Sequence, residues 1–292
     1  MSTLSRSDAS GSCSETAPIS VVIPAYNAES FLEEAIRSVH AQTLPVAEII
    51  VVADSCTDST PQIAGEFGAI VLEHNGRCMA AGLNLGVKAS TQPWIALLDS
   101  DDIWHEDKIA RQWKAIEACP TVALVASDHF SLIGKKAAVL ADSELRARWN
   151  DLEFIDVDEC CRFLEKVPGD FLPRFDMLTT SVMLRRDVFA SVGFFDENLI
   201  FGQTLEFFAR VVARYPMVFV ERPLAYHRLH DRNHTRNLES YWPVYIAIID
   251  HMVKNPDLYP PRAGEAYRER FKEQFHHFER ALAHRRSKVD SK

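Results

Sequence analysis

Three aspartates in the segment Asp99-Ser100-Asp101-Asp102 follow an apolar run that ends at Leu98. Carboxylates this close together repel one another unless a cation or polar contacts compensate them. Mg²⁺ and Mn²⁺ prefer oxygen ligands and combine one or two carboxylates with phosphate oxygens. The segment therefore predicts a divalent-metal site for a diphosphate, where the metal acts as a Lewis acid on the leaving group. In the alternative interpretation, one or two of these aspartates cap the structure that follows them.

A second acidic pair, Asp54 and Asp58, flanks a Ser-Cys-Thr turn after another apolar run. A carboxylate there can accept a hydrogen bond from a nucleobase imide or a ribose hydroxyl, and Tyr26 offers a ring on which a base can stack. The same residues also suit an Asx turn and capping. The sequence leaves both interpretations open.

Three histidines, His227, His230 and His234, lie in the polar segment 226–235. Their spacing of three and four residues suits a zinc site on a helix. The segment also contains Arg228 and Arg232 and has no apolar helical face. This composition favours a loop near phosphates, where His230 and the arginines stabilise leaving-group charge. A solvated charged loop is the alternative.

The elements that position these residues follow from the hydrophobic pattern. Short apolar runs alternate with segments of helical periodicity over the first 130 residues, which predicts a parallel sheet covered on both faces. Such sheets bind ligands at the carboxyl ends of their strands, where the two acidic groups fall. The predicted strands are 19–23, 49–53, 70–72, 94–98 and 122–126, and helices are predicted from about 30, 61, 82 and 107.

The second half of the chain has a less regular pattern. Residues 142–170 are acid-rich without strand alternation, and later patterns predict strands at 182–184 and 218–220 and helices at 188–192 and 205–215. Beyond Tyr241, two helical segments flank Pro260-Pro261, and residues 262–292 carry nine Lys/Arg against five Asp/Glu. The final helix has an aromatic stripe. It is expected either to lie on an anionic membrane surface or to pack against the body or a second subunit, as in a homodimer.

Composition narrows the class of protein. The 292 residues suffice for one large domain or two small ones, and a net charge of −9 disfavours nucleic-acid partners. The six cysteines include no CxxC pair, which argues against a disulfide framework and is typical of a cytoplasmic protein. Residues 1–17 are rich in Ser and Thr and are predicted to be a disordered tail. They lack the apolar core of a signal peptide. The templates GxGxxG, GxxxxGK[ST] and GxSxG are absent from the sequence.

Taken together, these segments resemble the family-2 glycosyltransferases of the GT-A fold. The resemblance implies an α/β class with a Rossmann-like, mostly parallel sheet, helices on both faces and a C-terminal helical extension. It divides the chain into a nucleotide-sugar-binding half (18–130), an acceptor-side half of the same domain (131–235) and the extension (236–292). The matching segments are 19–29, 38–43, 48–58, 84–86, 97–104, 192–197 and 226–235.

The resemblance also implies roles for individual residues. In family-2 enzymes the segment after the first strand cradles the base and ribose, an aspartate after the second strand bonds the pyrimidine, and the acidic turn contacts ribose and metal. By position, the donor-binding residues are Pro24, Ala25, Tyr26, Glu29, Asp54, Asn84, Asp99 and Ser100, and the metal-side residues are Asp101 and His230.

One departure from the family pattern concerns the general base. The Glu-Asp pair that normally supplies it aligns with Gln203-Thr204, and neither side chain can deprotonate a hydroxyl. Glu206 lies two positions after Thr204, which places its side chain about 200° further around a helix and points it away. Glu206 is therefore a weak substitute for the base. The acid-rich segment up to Asp170, or Asp176, is a further source of a base.

The leading hypothesis is a metal-dependent glycosyltransferase that uses a nucleotide sugar, with Mn²⁺ or Mg²⁺, and inverts the anomeric centre. Its acceptor is a glycan, a lipid-linked molecule or a peptide. The second hypothesis is a non-catalytic nucleotide-sugar-binding module, motivated by Gln203-Thr204. A nucleotidyltransferase is the third, but it would need a Gly-rich loop after the first strand, where Pro24-Ala25-Tyr26 stands.

Overall fold

The computed structural model describes residues 16–76, 78–133, 136–138, 155–169, 177–231, 233, 238–269 and 272. Its centre is a sheet with the strand order β3-β2-β1-β4-β10-β6-β11-β9-β8, to which β5 adds beside β11 and β7 beside β6. The strands are β1 (Ala17–Ala25), β2 (Val46–Asp54), β3 (Ile70–His74), β4 (Trp94–Leu97), β5 (Ile103–Trp104), β6 (Leu124–Ile133), β7 (Lys136–Ala138), β8 (Ile155–Asp158), β9 (Cys161–Leu164), β10 (Met183–Arg185) and β11 (Met217–Leu229).

Helices cover both faces of this sheet. One face packs against α3, α5, α6 and α7, and the other against α1, α2 and α4. Residues 263–269 are also helical. The labelled helices are α1 (Leu32–His40), α2 (Thr60–Glu66), α3 (Met79–Ala89), α4 (Lys108–Ala118), α5 (Val188–Val192), α6 (Gln203–Val212) and α7 (Leu238–Lys254).

The first half of the sheet is parallel, as its continuous apolar runs predict. β1 pairs in parallel with β2 and β4, and β2 pairs in parallel with β3. The carboxyl ends of these strands therefore meet at one edge, and the residues after β1, β2 and β4 come together there. α3 lies close against β1, because a Cβ on Gly86 would stand 2.4 Å from Cγ1 of Val22.

The second half mixes strand directions. β10 runs antiparallel between β4 and β6, whereas β6 and β11 are parallel. β9 is antiparallel to β11 and forms a hairpin with β8. This hairpin lies in the acid-rich stretch where no strand was predicted. β8 lies at the sheet edge and is largely exposed, and its alternation of Ile155 and Val157 with two aspartates spans only four residues, a signal that the prediction missed.

The predicted loop at 226–235 is partly wrong, because β11 continues to Leu229. Residues 226–229 pair in parallel with β6, and Tyr226 also pairs with Ile103 of β5 and stacks on Phe130 at 4.8 Å. Backbone pairing with β6 along residues 226–229, and with β5 at Tyr226, outweighs the polar composition of this segment.

Several sequence predictions fall outside the described residues. These concern the tail to residue 15, most of the acid-rich stretch to Asp170 and Asp176, Arg232, His234 and the final segment 273–292. The division into 18–130, 131–235 and 236–292 stays a prediction. Within the described part of the chain, no helix has the length and apolar character that a bilayer crossing requires.

Candidate active site

The acidic turn, residues 99–102, connects β4 to β5 at the carboxyl edge of the parallel strands. The backbone N–H of Asp99 donates to Oγ1 of Thr180 at 3.2 Å, and the N–H of Asp102 donates to the carbonyl of Asp99 at 3.0 Å. Trp104, at the end of the turn, donates its indole N–H to the carbonyl of Thr180 at 2.8 Å. These bonds fix the turn to the 3₁₀ helix Thr179–Ser181.

Two carboxylate oxygens of this turn, Oδ1 of Asp99 and Oδ2 of Asp102, are buried and accept no hydrogen bond from the described residues. Burial raises the pKa of Asp99 well above its usual range, and the charges of Asp102 and Asp101 raise it further. Burial also raises the pKa of Asp102. An unsatisfied buried carboxylate is costly, and a bound cation removes that cost. The turn thus fits a divalent cation.

Asp101 faces the end of β11. Nε2 of His230 lies 2.9 Å from Oδ2 of Asp101, and the side-chain amide of Asn233 lies 3.4 Å from the same oxygen. The His230 ring stacks on Phe31 with a centroid distance of 4.6 Å, which fixes its plane. The structure therefore brings Asp101 and His230 together. The sequence reasoning missed Phe31 and Asn233, because neither residue type signals such a contact.

Asp102 contacts two residues of β11, His227 and Arg228. The backbone N–H of Arg228 donates to Oδ1 of Asp102 at 2.8 Å, and Nδ1 of His227 lies 3.7 Å from Oδ2, an ion-pair distance rather than a hydrogen bond. Burial alone would lower the pKa of His227, but the carboxylate of Asp102 outweighs burial and the pKa is raised. The Arg228 guanidinium bonds the carbonyl of Asp101 and the carboxylate of Glu34.

The loop after β1 lies at the same edge of the sheet as the acidic turn, because β1 and β4 are parallel neighbours. Pro24 and Ala25 end the strand, and Tyr26 is 49% exposed at the rim. Asn27 follows with a φ of 46° and accepts the backbone N–H of Thr57 at 2.8 Å. The predicted base-stacking ring therefore stands open to ligands beside the acidic turn, in which Ser100 is partly exposed.

Glu29 and Asp58 bond the first two loops to each other. Asp58 accepts the backbone N–H of Glu29 at 3.1 Å, and Glu29 accepts the backbone N–H of Ser59 at 3.1 Å. Asp58 also accepts the N–H of Thr60, two residues on, at 3.0 Å. These contacts are the turn and capping geometry that the sequence left open for Asp58.

Asp54 is buried and organises the loop that leads into α3. Its carboxylate accepts the backbone N–H groups of Gly76 at 3.0 Å and Cys78 at 2.9 Å, and the Ser55 hydroxyl at 3.0 Å. Nδ1 of His74 lies 3.2 Å away. Much of the acceptor capacity of Asp54 is therefore engaged within the protein, and its role towards a base stays a prediction.

Asn84 is likewise buried and bonded within the protein. Its side chain exchanges two hydrogen bonds with the backbone of Phe195, both at 3.0 Å, and donates to Oε1 of Glu197 at 2.8 Å. Sγ of Cys78 lies 3.4 Å from the carbonyl of Glu197. Asn84 thus anchors the segment that leads towards α6, and its role in donor binding stays a prediction.

The aligned base position lies at the first turn of α6. Gln203 is buried with Nε2 3.0 Å from Sδ of Met79, and Thr204 beside it is partly exposed. Glu206 is 5% exposed and forms two bonds with Arg210, at 2.6 and 2.8 Å. The hydroxyl of Tyr259 also donates to Glu206 at 2.7 Å. Glu206 is therefore an internal ion-pair partner.

Comparison with known proteins agrees with this geometry. The family model for glycosyl transferase family 2 matches residues 20–164. An uncharacterized glycosyltransferase of Rickettsia typhi is 26% identical over 246 residues, which cover 81% of this chain and 73% of the relative.

Two solved structures share the fold. S. aureus TarS 1–349 in complex with UDP-GlcNAc has a TM-score of 0.61 and 17% identity, with 80% of this chain and 66% of that chain covered. The mannosyltransferase PcManGT from Pyrobaculum calidifontis, in complex with GDP-Man and Mn²⁺, has a TM-score of 0.60 and 19% identity over 86% of this chain and 70% of that chain. The GT-A fold class expected from the sequence is confirmed.

Proposed function

Because the chain is a member of glycosyl transferase family 2, we propose that it transfers a sugar from a nucleoside diphosphate donor to an acceptor in a divalent-metal-dependent reaction. A single observation carries the proposal. At the ligand-binding edge of the sheet, the acidic turn holds two buried carboxylate oxygens that accept no hydrogen bond from the described residues. A divalent cation bound at Asp101, beside these two carboxylates, supplies the positive charge that the turn requires, and it can also bind a diphosphate.

The residues that would hold the metal are Asp101 and His230, whose side chains already lie 2.9 Å apart. A bound Mn²⁺ or Mg²⁺ supplies Lewis-acid stabilisation of the diphosphate leaving group. His230 is fixed in orientation by Phe31, so it needs no reorganisation when the donor arrives. Arg228, bonded to the Asp101 carbonyl, adds positive charge at the same wall.

The donor occupies the cleft between Tyr26 and the acidic turn. The exposed ring of Tyr26 offers a stacking surface for the base. By family resemblance, Asp99 would contact the ribose. Asp54, Glu29 and Asp58 hold the loops that form this pocket. The two neighbouring structures contain UDP-GlcNAc and GDP-Man, which supports a sugar nucleotide as the donor class.

In the transfer step the acceptor oxygen attacks the anomeric carbon, and the bond from that carbon to the diphosphate breaks. The electron pair leaves with the diphosphate, and the acceptor proton must pass to a base. By family resemblance the anomeric centre is inverted. Thr204 cannot accept the proton, and the carboxylate of Glu206 is engaged with Arg210 and Tyr259.

This arrangement favours a second candidate function, a nucleotide-sugar-binding module that has lost turnover. Both candidates require donor binding, so two measurements are needed. A thermal-shift panel of sugar nucleotides with and without Mn²⁺ tests binding, and release of nucleoside diphosphate tests turnover. A donor present at about 100 times its Kd stabilises the fold by about 2.7 kcal/mol, which raises the Tm of a chain of this length by roughly 4 °C.

Thr204→Asp separates the two candidates, with Thr204→Asn as its matched control. If turnover is missing only for want of a base, we expect Thr204→Asp to release nucleoside diphosphate at least 100-fold faster than wild type, and Thr204→Asn to stay at the wild-type rate. Substantial wild-type turnover supports the transferase. If no sugar nucleotide raises the Tm with Mn²⁺, both candidates are wrong.

A further inference from the structure

A second group of metal-ligating side chains lies outside the acidic turn, in the hairpin of β8 and β9. β8 and β9 form the sheet edge opposite β3, and the turn between them carries Asp158, Cys160 and Cys161. Each residue offers one ligand atom, and the three atoms lie within 4.8 Å of one another. Sγ of Cys160 is 3.3 Å from Oδ1 of Asp158.

We propose that this turn binds one Zn²⁺ through the thiolates of Cys160 and Cys161 and the carboxylate of Asp158. Two thiolates with one carboxylate form a soft, mixed ligand set that favours zinc over Mg²⁺ or Mn²⁺. A water completes the tetrahedron, as in other three-ligand zinc sites. Zn–S bonds of about 2.3 Å place the two sulfurs of a tetrahedral site about 3.8 Å apart. Since the ligand atoms already lie within 4.8 Å of one another, side-chain rotations that move them by about 1 Å or less close the site.

The backbone of the hairpin already holds the carboxylate in place. The N–H of Cys160 donates to Oδ1 of Asp158 at 2.9 Å. Since the Cys160 thiol also contacts Oδ1, zinc replaces a thiol proton between two groups that already face each other.

The surrounding charges balance the complex. Zinc, two thiolates and one carboxylate sum to a charge of −1, and the two thiol protons leave to solvent. Nζ of Lys114 lies 3.4 Å from Oδ2 of Asp158 and supplies a compensating charge. The side chain of Lys114 is 73% exposed, so it can move as the ion enters. Cys161 is buried and Cys160 half-buried, which leaves one open side for the water ligand.

Zinc binding to the full chain, reduced and stripped with chelator, tests the inference. We expect one Zn²⁺ per chain in competition with a chromogenic chelator, and a thiolate-to-metal charge-transfer band when Cd²⁺ is the probe. The double variant Cys160→Ser/Cys161→Ser should lose the band and bind zinc at least 100-fold more weakly, and Asp158→Asn should bind about 10-fold more weakly. Cys119→Ser, which alters a half-buried cysteine elsewhere on the chain, is the matched control.

The absence of a Cd²⁺ charge-transfer band in the wild type overturns the inference, and this readout holds even if the double variant fails to fold. A band that is unchanged in Asp158→Asn and in the double variant also overturns it. These measurements do not involve sugar transfer, so their failure leaves the proposed function untouched.

Discussion

Replacing Glu206 with Gln separates a structural role for this residue from a catalytic one. The side chains of Glu206 and Arg210 are 7% and 12% exposed, and the two form a bidentate pair. Glu206→Gln removes the negative charge that faces the buried guanidinium of Arg210. Breaking a buried pair in this way costs about 3 kcal/mol or more, because the remaining charge is desolvated and uncompensated. We therefore expect a large loss of stability.

The same substitution would have a different effect if Glu206 were the general base. Loss of a general base lowers kcat by about 10²–10⁴-fold. Urea unfolding and nucleoside diphosphate release, measured at a temperature where the variant remains folded, report the two effects separately. We expect the unfolding midpoint to fall and kcat to stay within about threefold of wild type.

Tyr259→Phe is the companion variant, because it removes one hydrogen bond to Glu206 and leaves both charges in place. It should cost about 1 kcal/mol, clearly less than Glu206→Gln. An unchanged midpoint for Glu206→Gln with a 100-fold or greater loss of kcat would refute the reasoning and make Glu206 the base.

Three further substitutions test the architecture around the site. Burial lowers the pKa of Lys108 from 10.5 to about 7, so the unfolded chain binds more protons than the folded chain between these values. Wild-type stability should thus rise relative to Lys108→Met by up to about 1.4 kcal/mol per pH unit above pH 7, and a pH-independent difference in urea unfolding would contradict this. Asn84→Ala removes the anchor of the 195–197 segment and should cost about 2–3 kcal/mol, whereas an unchanged urea midpoint would show that the anchor is dispensable. Gly86→Ala places a Cβ 2.4 Å from Val22 and should lower stability by about 2 kcal/mol, and an unchanged Tm would mean that α3 moves freely.

The parallel half of the fold could be predicted because its central strands, β1 and β4, and most of β2 are buried on both faces. Continuous apolar runs such as those of β1 and β2 are typical of strands in a parallel sheet that helices cover on both sides. The polar residues that follow them then had to meet at one edge. This reasoning placed the acidic turn and Tyr26 at the same edge of the sheet, where the parallel strands end.

The edge strands and the side-chain partners could not be predicted in the same way. The end of β11 is polar, and it is a strand because β6 and β5 pair with it. Asn84 bonds a segment 111 residues away, and Tyr259 reaches Glu206 across 53 residues. Such contacts depend on tertiary packing, and the local sequence carries no signal for them.

The most direct test of the acidic turn's role is a Mn²⁺ titration followed by electron paramagnetic resonance, with a nucleoside diphosphate present. We expect the wild type to bind one Mn²⁺ per chain. Asp101→Asn should weaken Mn²⁺ binding at least 10-fold, whereas Asp187→Asn, a change to an exposed aspartate paired with Arg185, should leave it unchanged. Equal Mn²⁺ binding by the wild type and Asp101→Asn, or nucleotide binding that does not depend on Mn²⁺, would contradict the proposed metal site.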